Sequence, residues 1–470
     1  MISKRKLFIL SLLILGIFLT VLGIMVNPSF VAKYVKGATE LSPNSTKRVI
    51  NYQLFTVIIG SITVFASILS YRGKHGTYFL IPISICYFFI IHSIYINKIF
   101  PNNLFLNPAT PKKILNILLG NELVLSDYQP KSMLLVKNRQ VLKAKYPVID
   151  IHFHFHSLKN MNTEELIKKM DACGIDKIVN LDGVIEVFEK YKIDFKDKYP
   201  NRFILFGQLK YWELDTPDFT KKQLELLNQM LHMGAQGLKV WRDLGLKYKD
   251  RNGDLVPIDD PRLDPIWNRA GELGIPVLIH SADPTPFFTP VDRFNERYEE
   301  LTKYPDLSFL GRDFPKKEAL FAQRENLLKK HPQTIIIGAH MGEIPENLDY
   351  LGYLLDTYPN FYVDISSRLP ELGRQPFTAR KFFIKYQDRI LFGTDGGYML
   401  GTKELPAEKF FGTYFEFLET SNEYFEYPLS DIYNQGRWRI YGLELPDEVL
   451  KKIYYKNAEK LLFKKPLLPP

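Results

Sequence analysis

Cysteine is nearly absent: the 470 residues hold two, Cys86 and Cys173. That excludes a disulfide scaffold and a cysteine-rich metal site. There is no self-similar repeat and no low-complexity tract, which excludes a solenoid or a propeller. Acidic residues are also missing from the first hundred positions, where ten Lys and Arg stand against the single Glu40. The whole formal charge of +9 therefore falls in that region, and the rest of the chain is balanced. A phosphate-binding footprint belongs on a folded domain, so nucleic acid is excluded as a partner. A hydrophobic content of 46% with 14% aromatics excludes a disordered protein.

Charge is missing altogether from three long apolar runs, residues 7–26, 49–71 and 76–97. Each approaches the ~20 residues an α-helix needs to cross a bilayer core. The first follows Lys4-Arg5-Lys6 and lacks a small-residue cleavage site, so it is predicted to be retained rather than removed as a signal peptide. The expected organisation is a membrane anchor of three transmembrane helices over 1–100, a Pro-interrupted connector over 101–146 and a folded domain over 147–465. Flanking basic residues are tied at five on each side. Dominance of the first helix then predicts a multi-pass membrane protein with its domain on the non-cytoplasmic side. No feature of the sequence sets an oligomeric state.

From Tyr146 onward, short apolar runs alternate with amphipathic stretches. The runs are 148–152, 177–181, 203–208, 237–241, 276–280, 334–339, 361–365 and 390–392. Eight such units in this length predict an α/β fold, a (β/α)8 TIM barrel.

Chemistry-bearing residues cluster where these runs end. His152 and His154 stand two apart at the end of the first, so simple alternation places them on one face. His280 ends the fifth run, His340 the sixth, and Asp395 follows the eighth. In a barrel these ends converge on one mouth. Nitrogen and oxygen donors of this kind suit one divalent ion, Zn²⁺ first, with Mn²⁺ or Fe²⁺ as alternatives. Any one of these residues alone would read as an ordinary core or turn residue. His156 is expected to lie outside the set.

The segments VIDIHFH, GAQGLKVW, GIPVLIH, IIIGAHMG, YVDISSR, RILFGTDGG and IYYKNAEKLL together resemble the amidohydrolase superfamily, in its amidohydrolase-2 branch. The resemblance covers roughly residues 146–465. It implies a metal held by His152, His154, His280 and Asp395, with His340 beside the nucleophilic water and Asp395 as proton acceptor. Lys239 stands near the position where binuclear relatives carry a bridging lysine; contact with an acidic substrate or an ordinary ion pair are the alternatives.

The resemblance implies hydrolysis of an amide, ester or lactone C–N or C–O bond in a small molecule by a metal-activated water. Non-oxidative decarboxylation on the same scaffold is the alternative, and a catalytically silent membrane sensor a further one. Candidate substrate contacts are Trp241, Arg242, Phe287, Phe288, Arg293 and Arg368. The insertion 402–443 is expected to act as a lid.

Overall fold

A computed structural model describes residues 128, 130–158, 162–311, 313–397, 405–427 and 435–463. The three expected membrane spans, and the connector up to residue 127, lie outside the described residues. Among the described residues no helix is long and apolar enough to cross a membrane. The chain divides into two units, Met1–Met133 and Leu134–Pro470. The second holds everything that follows.

Its centre is one sheet of eight parallel strands in sequential order. They are β1 (Val148–Phe153), β2 (Ile175–Gly183), β3 (Phe203–Gln208), β4 (Leu238–Val240), β5 (Val277–Ile279), β6 (Ile336–Gly338), β7 (Phe361–Asp364) and β8 (Ile390–Leu391). The sheet closes through hydrogen bonds from Ile151 N to Phe392 O, Asp395 N to His152 O and His154 N to Gly396 O. The expected (β/α)8 barrel is therefore the observed one. Its strands are buried on both faces, which is why they read as continuous apolar runs rather than as alternation. Ile149, Ile151, Val179, Leu181, Ile204, Phe206, Leu278 and Ile337 fill the interior. Val148, Ile178, Leu205, Leu238, Val277, Ile336 and Val363 face the surrounding helices.

The ring is built by α1 (Thr163–Cys173), α2 (Ile185–Tyr191), α3 (Phe219–His232), α4 (Asp264–Leu273), α5 (Lys317–Lys330), α6 (Leu348–Thr357), α7 (Pro376–Lys385) and α8 (Ala407–Glu419). Helix α1 shows how sequence sets such boundaries. Asn162 caps its first turn by accepting from Glu165 N, and Gly174 ends it at φ 79°. Helix α4 carries the fully buried Trp267, whose Nε1 donates to Ile258 O at 3.2 Å. Trp267→Ala is expected to cost about 4 kcal/mol, because it leaves a large cavity and an unpaired carbonyl. Urea denaturation monitored by circular dichroism measures this.

Two features depart from the sequence expectations. The insertion 402–443 contains α8, whose Phe410, Phe411, Tyr414, Phe415 and Phe417 are buried. Tyr414 Oη donates to Thr394 O and accepts from Ser367 N. Among the described residues the insertion thus contributes a helix held by an aromatic core. Secondly, simple alternation does not explain β1. Asp150 pairs with Ile178 and Phe153 with Asn180, so Ile151 and His152 together oppose the single Val179. This bulge lets His152 follow the inward-facing Ile151 into the barrel mouth. A matching irregularity between Asn180 and Gly183 re-aims Asp182.

Candidate metal centre

At the C-terminal ends of the strands, the five expected residues meet. His152 Nε2 lies 3.5 Å and His154 Nε2 3.2 Å from the same oxygen, Asp395 Oδ1. The His152 and His340 rings are 4.8 Å apart between centroids, and those of His280 and His340 4.5 Å. Single donor atoms of His152, His340 and Asp395 all fall within 4.8 Å of one another. All four histidines are buried, while the Asp395 side chain is 32% exposed.

Three of the four histidines are oriented from behind. His152 Nδ1 donates to Asp364 Oδ2 at 2.9 Å, His154 Nδ1 to Asp182 Oδ1 at 2.7 Å and His340 Nδ1 to Ser366 O at 2.9 Å. With the proton fixed on Nδ1, His152 and His340 present the Nε2 lone pair outward, and His154 turns its Nε2 towards Asp395. Asp364 goes further: its Oδ1 accepts from His340 N, Ser366 N and Ser366 Oγ. Sequence reasoning missed Asp182, Asp364 and Ser366. The two acids each stand at the end of an apolar run, a position that marks a strand end but not a histidine's partner.

The electrostatics suit a cation. Burial, then the neighbouring Lys239 ammonium, lowers the His152 pKa to about 4, and burial holds His340 well below its usual range. Both are neutral and able to coordinate. Burial alone would lower His154 as well, but its bonds to Asp182 and Asp395 outweigh that and carry it to about 9. The gap between His154 Nε2 and Asp395 thus favours one positive charge, which a proton supplies in the free chain. His280 Nε2 is buried 3.7 Å from Asp283 Oδ1 and makes no hydrogen bond, an arrangement that leaves its lone pair open to a ligand. A divalent ion with nitrogen and oxygen ligands fits all of these features.

Lys239 is fully buried, with Nζ 3.3 Å from His152 Nε2 and 5.2 Å from the Trp241 ring centroid. Burial lowers its pKa to about 8. Trp241 stacks on His154 at 5.0 Å.

A cavity of about 460 Å³ opens over the site, lined by His154, His280, His340, Asp395, Trp241, Arg242, Phe287 and Arg368 among others. Arg242 is occupied, donating to Asp283 Oδ2 at 2.5 Å. Arg368 is buried; Nη1 donates to Ser367 O, while Nε has no partner. His156 also lines the cavity, with Nδ1 2.9 Å from Asp182 Oδ2, behind His154 and outside the ligand set. Phe288 and Arg293 do not line it. Phe288 packs on Phe309 at 5.5 Å between centroids, and the exposed Arg293 lies over the Phe294 ring. The loop after β5 spends these two side chains on its own packing.

A closed parallel barrel with buried histidines and an aspartate at its C-terminal mouth defines a metal-dependent barrel enzyme. The chain belongs to the amidohydrolase family, in the amidohydrolase-2 branch, whose family model matches residues 214–464, more than half its length. No curated protein matches it. Among solved structures it is similar to 2,6-dihydroxybenzoate decarboxylase from Rhizobium, at 18% identity over 68% of this chain and 99% of that one, TM-score 0.41. It is also similar to 4-oxalomesaconate hydratase from Rhodopseudomonas palustris, at 16% identity over 67% and 95%, TM-score 0.40. A third is 5-carboxyvanillate decarboxylase from Novosphingobium aromaticivorans, complexed with manganese, at 17% identity over 70% and 100%, TM-score 0.37.

Proposed function

We propose that the barrel is a metal-dependent hydrolase of a C–N or C–O bond in a small molecule that carries a negative charge. The observation that carries this reading is the convergence of His152, His154, His280, His340 and Asp395 on one mouth, with His280 Nε2 making no hydrogen bond. His152, His154, His280 and Asp395 would hold one divalent ion, with Zn²⁺ the first choice. When bound, such an ion supplies Lewis acidity and lowers the pKa of water towards ~7.

The protein's own part follows from its hydrogen bonds. Asp395 Oδ1 faces the histidines, and Oδ2 accepts from Ser367 Oγ at 3.0 Å. That second oxygen can take a proton from the attacking water. His340, whose Nδ1 proton is committed to Ser366 O, offers Nε2 as a further acceptor and, once protonated, stabilises developing negative charge. Trp241 and Phe287 provide apolar surface for the body of the substrate. Arg368 provides a cation for its anionic group.

One observation favours a second reading, non-oxidative decarboxylation of a small acid: the unpartnered Nε of Arg368 beside the ligand histidines is suited to hold a carboxylate. The runs 7–26, 49–71 and 76–97 support anchoring in a bilayer; placing the barrel on the non-cytoplasmic side rests on dominance of the first helix alone.

The test is the full chain, metal-loaded, assayed against amide, ester, lactone and aromatic-acid panels. The expected result is a hydrolysed product from a carboxylate-bearing substrate. Arg368→Met should raise KM about 10-fold or more while changing kcat little, as loss of uniform binding does. Release of CO₂ with no hydrolysed product overturns hydrolysis in favour of the second reading.

A further inference from the structure

The turn after β6 is held by a buried ion pair that the chemistry above does not use. His340, Met341, Gly342 and Glu343 all have positive φ, at 56°, 58°, 59° and 55°. Three of the four carry a Cβ, and such a run of left-handed residues persists only where its surroundings over-determine it. Glu343 supplies that determination. Its Oε1 accepts from Ser281 N at 2.9 Å, and its Oε2 accepts from Ser281 Oγ at 3.1 Å and from Arg324 Nη1 at 2.7 Å. The same Arg324 Nη1 donates to Gly342 O at 2.5 Å. Both side chains are almost completely buried.

Ser281 directly follows His280, and Glu343 lies three residues past His340. One carboxylate therefore ties the residue beside the first histidine to the turn that carries the second. A buried ion pair is a poor source of stability, since an apolar pair of similar volume commonly does as well or better. Its effect here lies in geometry.

We propose that Arg324 and Glu343 are positioning residues that set the spacing of His280 and His340, and through it the affinity of the centre for its ion. This rests on the metal-site reading above. Neither residue lines the cavity; both act through Ser281 and the left-handed turn.

The test uses the full chain titrated with Co²⁺, reading affinity by chelator competition and ligand geometry by the visible d–d absorption. In Arg324→Met/Glu343→Leu an apolar pair replaces the charges without leaving one orphaned. It is expected to fold but to melt several degrees below the parent, because Ser281 N and Gly342 O lose their partners, to bind Co²⁺ about 10- to 100-fold more weakly, and to show a shifted spectrum. Leu327→Ala, a core truncation on the same helix α5, is expected to lower the melting temperature and leave affinity and spectrum unchanged. A folded double variant with the parent's affinity and spectrum overturns the proposal. If the double variant does not fold, Glu343→Gln decides, with unchanged affinity again overturning it. A parent that binds no Co²⁺ overturns the metal reading itself, and this proposal with it.

Discussion

Asp395→Asn is expected to reduce turnover by about 10²- to 10⁴-fold, the range associated with loss of a positioned general base. Asp395 Oδ1 lies between the Nε2 atoms of His152 and His154, and Oδ2 accepts from Ser367 Oγ. Burial works against its ionisation, yet the hydrogen bond from the protonated His154 holds its pKa well below the usual carboxylate range. It is therefore a carboxylate at every working pH. An asparagine keeps the shape but brings no charge, and its amide cannot take the proton. Steady-state kinetics on the metal-saturated variant, with any activity measurable in the parent as reference, checks this. A loss smaller than about 10-fold would remove Asp395 from the proton-accepting role.

The second large effect concerns a residue behind the site. Asp364 is fully buried and accepts from His152 Nδ1, His340 N, Ser366 N and Ser366 Oγ. Asp364→Ala leaves these donors without their acceptor. At ~1–3 kcal/mol for a buried unsatisfied group, the loss of stability should reach at least about 3 kcal/mol. Metal affinity should fall about 10- to 100-fold, because His152 loses the group that fixes its tautomer. Asp364→Asn separates the two effects. Its carbonyl can still serve the Ser366 and His340 amides, so the stability loss is smaller. Its amide donates towards His152 Nδ1, so the affinity loss remains. Chemical denaturation and metal titration of both variants test this; an Asp364→Asn protein with parental affinity would contradict it.

Much of this architecture was legible in the chain because of where a parallel barrel puts its side chains. Strands buried on both faces must be apolar throughout, so a polar residue such as His280 at the end of VLI stands out. The same rule exposed His152, His154, His340 and Asp395. Other features are set by pairing between strands that are distant in sequence. The bulge that opposes Ile151 and His152 to Val179 has no local mark, and simple alternation gave the right face for His152 for the wrong reason. Asp182 and Asp364 carry no pattern that tells a histidine's partner from any other strand-end acid. The loop after β5 is long enough to turn Phe288 and Arg293 away from the cavity, and its course depends on tertiary packing against Phe309 and Phe294. Helix α8 was hidden for a related reason. Its aromatic-rich run AEKFFGTYFEFLE reads as loop cover until Phe410, Tyr414 and Phe415 find a core to enter.

The central claim is that one divalent ion sits among His152, His154, His280 and Asp395. Metal content of the purified full chain, measured beside His280→Ala after identical loading and dialysis, tests it most directly. The account predicts about one equivalent in the parent, bound through nitrogen and oxygen, and a fall to a small fraction of that in the variant. A parent that retains no ion, or a His280→Ala protein that retains as much as the parent, would contradict it.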